Sequence, residues 1–169
     1  TLLGDGVRGV ALDATGVVVV GGTYLNAVAA VNAHPDLVAA GGTDFVARLT
    51  ATTPLALAWA GPIGYQTYGN AVAVDRVGAV YVAGIGDTPS TRNAYVARFR
   101  LDPNHLLTKQ WEATLGGSSP DGAEAIALDR EASIYVAGST RSDDFPLINP
   151  ADSTQIEGEG FVARLRNDD

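Results

Sequence analysis

The chain has 169 residues, and its 11 Lys and Arg against 19 Asp and Glu give a formal net charge of −8. One ordinary domain of about 150 residues is expected at this length. The negative charge argues against a nucleic-acid partner, because binding to a phosphate backbone needs clustered Lys and Arg. The chain contains no Cys, which excludes disulfides and thiolate chemistry. It also lacks a run of about 18 apolar residues, so no membrane insertion is expected.

Three blocks of sequence recur in the same order along the chain. The first block ends at an aspartate, and successive copies of this aspartate (Asp13, Asp75 and Asp129) are 62 and 54 residues apart. The second block is residues 18–22, 80–84 and 134–138, and the third is residues 45–49, 95–99 and 161–165. This order divides the single segment 1–169 into approximate repeats at residues 5–60, 61–115 and 116–169.

Each block has the composition of a β-strand. The blocks are short, rich in Val, Ile, Tyr and Phe, and bounded by Gly, Asp, Asn or Pro. Residues 55–60 and 107–115 predict a fourth strand in the first two repeats, whereas the third repeat reaches only its third strand. The pattern predicts an all-β protein of antiparallel four-stranded meanders, with less than about a tenth of the residues in helices. A radial array of such sheets, the β-propeller, would cover both faces of apolar strands such as residues 17–20.

Several motifs of the third repeat resemble the bacterial SBBP-type β-propeller repeat and, more loosely, NHL-type blades. They are Asp-Gly-Ala-Glu-Ala-Ile-Ala-Leu-Asp at 121–129, Ile-Tyr-Val-Ala-Gly-Ser-Thr at 134–140, Ser-Asp-Asp-Phe-Pro at 142–146 and Gly-Phe-Val-Ala-Arg-Leu at 160–165, with Leu-Gly-Gly at 115–117 before them. The resemblance implies a propeller fold and a secreted or cell-surface bacterial protein. It implies no particular activity.

The number of repeats is small for a propeller. Propellers close with roughly four to eight blades, whereas this sequence contains three repeats. The terminal sheets of three blades would expose an apolar face and a strand edge. We therefore expect further blades of the same parent chain, or a homo-oligomer, to complete the ring.

Residues present in every repeat are expected to serve the blade itself. The recurring aspartates precede turns, where a carboxylate can accept backbone N–H groups. A recurring arginine in each third strand is expected to form a hydrogen bond or ion pair between neighbouring blades. These structural positions are Asp13, Asp75, Asp129, Arg48, Arg98 and Arg164.

Residues that break the repeat are candidates for a binding site. The connections between second and third strands are long in the first and third repeats, and long loops often carry function. In a propeller they leave the same end as the connections from one blade to the next. This predicts a face for protein or carbohydrate contacts, marked by Asp143, Asp144, Tyr65, Tyr68 and His34.

Few residues suggest chemistry beyond binding. Asp143 and Asp144 with Asp121 could supply oxygen ligands to Ca²⁺, but the Ser-Asp-Asp-Phe-Pro element also fits a simple turn. No Gly-x-Ser-x-Gly motif or histidine metal motif occurs, so no catalytic residue is assigned. The sequence thus favours a non-enzymatic binding or structural module outside a bacterial cell. Two alternatives are a piece of a propeller enzyme whose catalytic residues lie outside this chain, and a subunit of a surface filament.

Overall fold

A computed structural model describes residues 6–13, 16–22, 44–64, 67–87, 91–102, 107–146 and 158–166. These residues form eleven β-strands, and none of them is helical. The predicted all-β class is therefore confirmed. Within the same residues there is no helix that could span a membrane.

The strands form three antiparallel sheets, in which each strand pairs with the next along the chain. Sheet 1 contains β1 (Gly6–Asp13), β2 (Gly16–Gly22), β3 (Phe45–Thr50) and β4 (Leu57–Pro62). Sheet 2 contains β5 (Thr67–Val74), β6 (Val80–Asp87), β7 (Arg92–Leu101) and β8 (Leu107–Leu115). Sheet 3 contains β9 (Asp121–Leu128), β10 (Ile134–Thr140) and β11 (Glu159–Leu165). The prediction of four strands per repeat thus holds for sheets 1 and 2, while sheet 3 has three in the described part.

The sheets stack face to face through two apolar clusters. One cluster joins sheets 1 and 2, with Val46 and Val82 fully buried in it, and the other joins sheets 2 and 3, with Tyr81 and Val136 fully buried. Sheet 2 is therefore covered on both faces, as its uniformly apolar strands require. The first strands of neighbouring sheets lie close together, whereas β4 and β8 contact each other much less. The three sheets consequently diverge from their first strands outward.

Every first strand contains one bulged residue at the same repeat position. The bulged residues are Arg8, Asn70 and Glu124, each of which is left out of the pairing between its first and second strand. A bulge inserts an extra residue into one strand and redirects the side chains beside it. Three bulges at equivalent positions indicate that the bulge is a regular feature of the repeat, which the alignment of the sequence blocks did not reveal.

One strand departs from the repeat. In sheet 2, Val72 pairs with Val82. The equivalent residue of sheet 1, Val10, pairs with Val19, although the sequence blocks align Val20 with Val82. Strand β2 is therefore displaced by one residue, and its side chains point to the faces opposite to those of their counterparts.

Candidate functional site

The recurring aspartates of sheets 2 and 3 cap the turns between first and second strands. Asp75 Oδ1 accepts the N–H groups of Val77 at 3.0 Å and Ala79 at 2.8 Å, and Oδ2 accepts the hydroxyl of Tyr81 at 3.2 Å. Asp129 accepts the same set from Glu131, Ser133 and Tyr135 at 3.0, 2.8 and 3.3 Å. Desolvation raises the pKa of Asp129, but the hydrogen bonds from Ser133, Glu131 and Tyr135 together lower it. These carboxylates are occupied in holding their own turns.

The recurring arginines of sheets 2 and 3 lie over the tyrosines that bind these aspartates. The guanidinium carbon of Arg98 is 5.7 Å from the ring centroid of Tyr81, and that of Arg164 is 5.7 Å from the ring centroid of Tyr135. A cation over an aromatic face at this distance is attracted by the ring quadrupole. Each contact joins strands of one sheet, whereas the sequence analysis expected contacts between blades.

In sheet 1 the recurring aspartate and arginine contact each other directly, without a tyrosine. In the sequence blocks Val19 takes the place of the tyrosine, but the register of β2 sets Val18 opposite Arg48. Arg48 pairs directly with Asp13. Asp13 also accepts the N–H of Gly16 at 3.0 Å. This ion pair again lies within one sheet.

Three of the five predicted binding residues, Tyr68, Asp143 and Asp144, lie in the described structure. Tyr65 and His34 lie outside the described residues. Tyr68 is exposed, with the guanidinium carbon of Arg92 5.8 Å from its ring centroid. Asp143 is also exposed. Among the residues described, no hydrogen bond or ring contact joins Tyr68 to the two aspartates.

Asp144 instead ties two connections of the chain together. Its Oδ1 accepts both the N–H of Ser118 at 2.7 Å and the hydroxyl of Ser118 at 3.0 Å. Ser118 follows β8, and Asp144 follows β10, so the bonds join segments far apart in sequence. The hydrogen bonds from the Ser118 backbone and side chain lower the pKa of Asp144.

Asp121 is the centre of a buried network beside this contact. Its Oδ2 accepts the N–H of Gly117 and the hydroxyl of Ser142, both at 2.9 Å. Its Oδ1 accepts the N–H of Arg141 at 3.3 Å and the hydroxyl of Thr140. Four donors surround one carboxylate, which therefore anchors the start of sheet 3. The sequence predicted Asp121 only as a cation ligand, since three of its four donors lie 19 to 21 positions away in the chain and only the fold brings them to the carboxylate.

The structure offers little to a metal ion at this end. No group of three His, Asp or Glu side chains that could hold a metal is found in the described parts of the chain. The Asp121 oxygens and Asp144 Oδ1 accept hydrogen bonds from the protein. The carboxylates of Asp121 and Asp144 therefore have structural roles in hydrogen bonding.

The lowered pKa of Asp144 predicts a pH effect on stability. A carboxylate with a lowered pKa contributes stability above its ordinary pKa of about 4, and this contribution is lost as the pH falls through the lowered value. We expect Asp144→Asn to lower the melting temperature at about pH 6 by a few degrees and to reduce its fall between about pH 4 and pH 2. The exposed neighbour provides the control, since Asp143→Asn should leave the pH profile unchanged. Equal profiles for wild type and Asp144→Asn would contradict the assigned role.

Two of the bulged residues link neighbouring sheets. Arg8 Nη1 donates to the carbonyl of Gly69 at 3.1 Å, and Asn70 Nδ2 donates to the carbonyl of Ala123 at 3.0 Å. Gly69 and Ala123 each directly precede a bulge, so the two bonds are equivalent. The bulge of one sheet therefore aims a donor at the bulge of the next.

The link between sheets 1 and 2 contains an additional buried carboxylate. Asp44 pairs with Arg8 and accepts the N–H of Gly69 at 2.8 Å. Burial raises the pKa of Asp44, and the hydrogen bond and charge of Arg8 oppose this rise. Both backbone groups of Gly69 are thus bound by side chains of sheet 1.

Sheet 3 has a face that turns away from sheet 2, here termed the far face, and it carries Glu124, Ala125, Ala127, Tyr135 and Val162. In sheet 2 the equivalents of the last two, Tyr81 and Val96, are both 0% exposed because sheet 3 covers them. On the far face, Tyr135 is 37% and Val162 78% exposed. The same repeat positions are therefore core in one sheet and surface in the next.

Two open clefts lie at the opposite end of the sheets from the predicted binding face. They are located where first strands turn into second strands, and we call them the turn-end clefts. A cleft of about 870 Å³ lies between sheets 1 and 2, and one of about 710 Å³ lies between sheets 2 and 3. Arg76 and Arg100 line both clefts, and Arg130 lines the second. At this end the sequence predicted only turn capping by the recurring aspartates, and it predicted no binding site.

Comparisons of the sequence with protein-family models and with curated proteins found no match.

Proposed function

We propose that the chain is a non-enzymatic structural and binding module whose three sheets are blades of a β-propeller. In this proposal the far face of sheet 3 binds a further sheet of the same repeat. The observation that carries the proposal is the exposure of Tyr135 and Val162 at positions that are fully buried in sheet 2. Monomeric proteins rarely leave such contiguous apolar faces uncovered.

The chain also carries a surface that suits the far face. Strand β9 packs against β5, β6 and β7, so a following sheet covers the preceding one with its first strand. The first strand of sheet 1 exposes Val10 by 64% and Leu12 by 75%, whereas the equivalent of Val10 in sheet 2, Val72, is only 7% exposed. Strand β1 therefore displays the side chains that a following sheet would bury.

The far face also presents a polar group for this partner. Glu124 is the bulged residue of sheet 3, at the position from which Arg8 and Asn70 reach the next sheet. Its carboxylate can accept a backbone N–H of a following bulge, as Asp44 accepts the N–H of Gly69. The exposed face thus combines apolar area with one acceptor at the position of the link between sheets.

A location outside a bacterial cell and membership of the SBBP-type repeat are parts of the same proposal. Their support is the set of motif residues in the third repeat, above all residues 121–129 and 142–146. Phe145 of the latter is buried and packs on Phe161 of β11, with ring centroids 4.7 Å apart. This contact explains why an apolar aromatic residue follows two aspartates in that motif.

The proposal predicts self-association of the purified chain, in which the further sheet must come from a second copy. Light scattering should give a mass that is a multiple of 17.4 kDa. Val162→Glu should shift the protein to the monomer, because it places a charge on the far face. The matched control is Val77→Glu, at an exposed valine of a turn, which should leave the mass unchanged.

The shape of the assembly tests the propeller itself. Two copies would supply about six sheets, which is a permitted ring size, so electron microscopy should show closed rings. Open filaments would overturn the ring while retaining the sheet-to-sheet contact. A monomeric wild type with a sharp melting transition would overturn the proposal as a whole.

A further inference from the structure

We infer that the turn-end clefts form a binding site for an acidic peptide segment with aliphatic side chains. This site is separate from the far face of sheet 3, since it lies at the turns between first and second strands. Clefts of about 300–1,000 Å³ are typical of ligand sites in proteins. The volumes of about 870 and 710 Å³ fall within this range.

The two clefts adjoin and share their cationic residues. Arg76 and Arg100 contribute to the walls of both, so a ligand that follows them passes from one cleft to the other. Arg130 extends the row on the side of sheet 3. A shared row of cations across two clefts suits an extended ligand with several anionic groups better than a single small ion.

The aspartates that line the clefts are bound to other groups, while Glu131 of the second cleft is an exposed carboxylate. Asp13 is paired with Arg48, and both oxygens of Asp75 and Asp129 accept hydrogen bonds from their own turns and tyrosines. Arg76, Arg100 and Arg130 are exposed, and within the described part of the chain they have no ion pair with a carboxylate. Five arginines and four carboxylates line the two clefts, so this end carries a small excess of positive charge in a protein with a net charge of −8.

Exposed aliphatic side chains line the same cleft as Arg76 and Arg100. Val77 and Leu101 line the cleft between sheets 1 and 2, and both are among the large hydrophobic residues that the protein leaves exposed. Arginine binds carboxylates through a planar fork of N–H donors, and an aliphatic side chain binds its like by burying apolar area. A peptide with alternating acidic and aliphatic side chains satisfies both groups at once.

The test uses a fluorescein-labelled peptide of alternating glutamate and leucine, with binding followed by fluorescence anisotropy at low salt. We expect saturable binding that weakens as salt is added. The double variant Arg76→Gln/Arg100→Gln should weaken binding by at least about tenfold, since both clefts lose their shared cations. Val77→Ser should weaken it about threefold through the loss of apolar contact.

Matched controls remove the same charge and the same apolar surface elsewhere. Arg92→Gln/Arg141→Gln changes the net charge equally at the opposite end of the sheets, and Val7→Ser removes an exposed valine near the start of β1, also away from the clefts. Both controls should bind the peptide as the wild type does. An equal loss of binding in the arginine control would reduce the effect to net charge and overturn the site.

Two simpler ligands test whether a single chemical group of the peptide is sufficient for binding. Inorganic phosphate carries charge without an aliphatic group, and octanoate carries a single carboxylate on an aliphatic chain. Binding of either one as tightly as the peptide would overturn the assignment to an extended peptide. No saturable binding of the peptide would overturn it as well.

Discussion

Replacing Gly84 with alanine should destabilise the protein by about 3 kcal/mol or more, which corresponds to a fall of roughly 10 °C in melting temperature. A Cβ at this position would lie 1.8 Å from the carbonyl oxygen of Tyr68. That oxygen belongs to the backbone of β5 two residues before the bulged Asn70, so it cannot move without breaking the pairing with β6. The loss would be measured by urea denaturation, together with hydrogen exchange at the amides of β5 and β6.

A second glycine separates this clash from the general cost of alanine. Gly78 has a φ of +85°, but a Cβ there would have no neighbour within 4 Å. Gly78→Ala should therefore cost only about 1 kcal/mol, from the backbone conformation alone. Equal losses for the two variants would contradict the close packing of the bulge against β6.

Replacing Asp121 with alanine should cost about 3 kcal/mol, because four buried or partly buried donors would lose their acceptor. The loss should be local at first. Hydrogen exchange should quicken at the amides of Gly117 and Arg141, which donate to this carboxylate, before the rest of sheet 3 opens. Urea denaturation would give the free energy of unfolding, and exchange would locate the change.

Two substitutions define how the Asp121 result is interpreted. Asp121→Asn keeps the shape of the side chain but turns one acceptor into a donor that faces other donors, so it should recover less than half of the loss. Asp143→Ala removes an exposed carboxylate of the same segment and should change stability by less than about 0.5 kcal/mol. A loss below about 1 kcal/mol for Asp121→Ala would mean that water replaces the carboxylate without difficulty.

The sheets could be predicted from the sequence, whereas the contacts that position possible sites could not. Strands such as β6 and β10 can be recognised from their local composition and from their recurrence in the repeats, because both signals are carried by consecutive residues of the chain. Of the predicted binding residues, Asp144 is bound to Ser118, which is 26 positions away in the chain. Arg76, in the turn after β5, and Arg100 of β7 line common clefts only because β5 and β7 belong to one stacked sheet. Such contacts depend on how strands are brought together, which no local pattern records.

The register of β2 is the clearest example of a feature that the local sequence does not determine. Four successive valines at residues 17–20 bury equal apolar surface in either of two registers, and the pair Gly21–Gly22 provides a glycine beside the bulge in both. In the folded protein Gly21 takes this place, since its Cβ would lie 2.1 Å from the carbonyl oxygen of Gly6, the contact that Gly84 and Gly138 make in their own sheets.

The register that β2 adopts depends on the tertiary structure. Four residues separate the paired Leu12 and Val17, whereas five separate Val74 and Val80. With this shorter connection Asp13 pairs with Arg48, and Val18 and Val20 lie in the core shared with sheet 2. The sequence by itself determined that β2 is a strand and where it lies in the repeat. Which of its faces meets sheet 2 was decided only by packing, because a run of identical side chains makes both faces equally apolar.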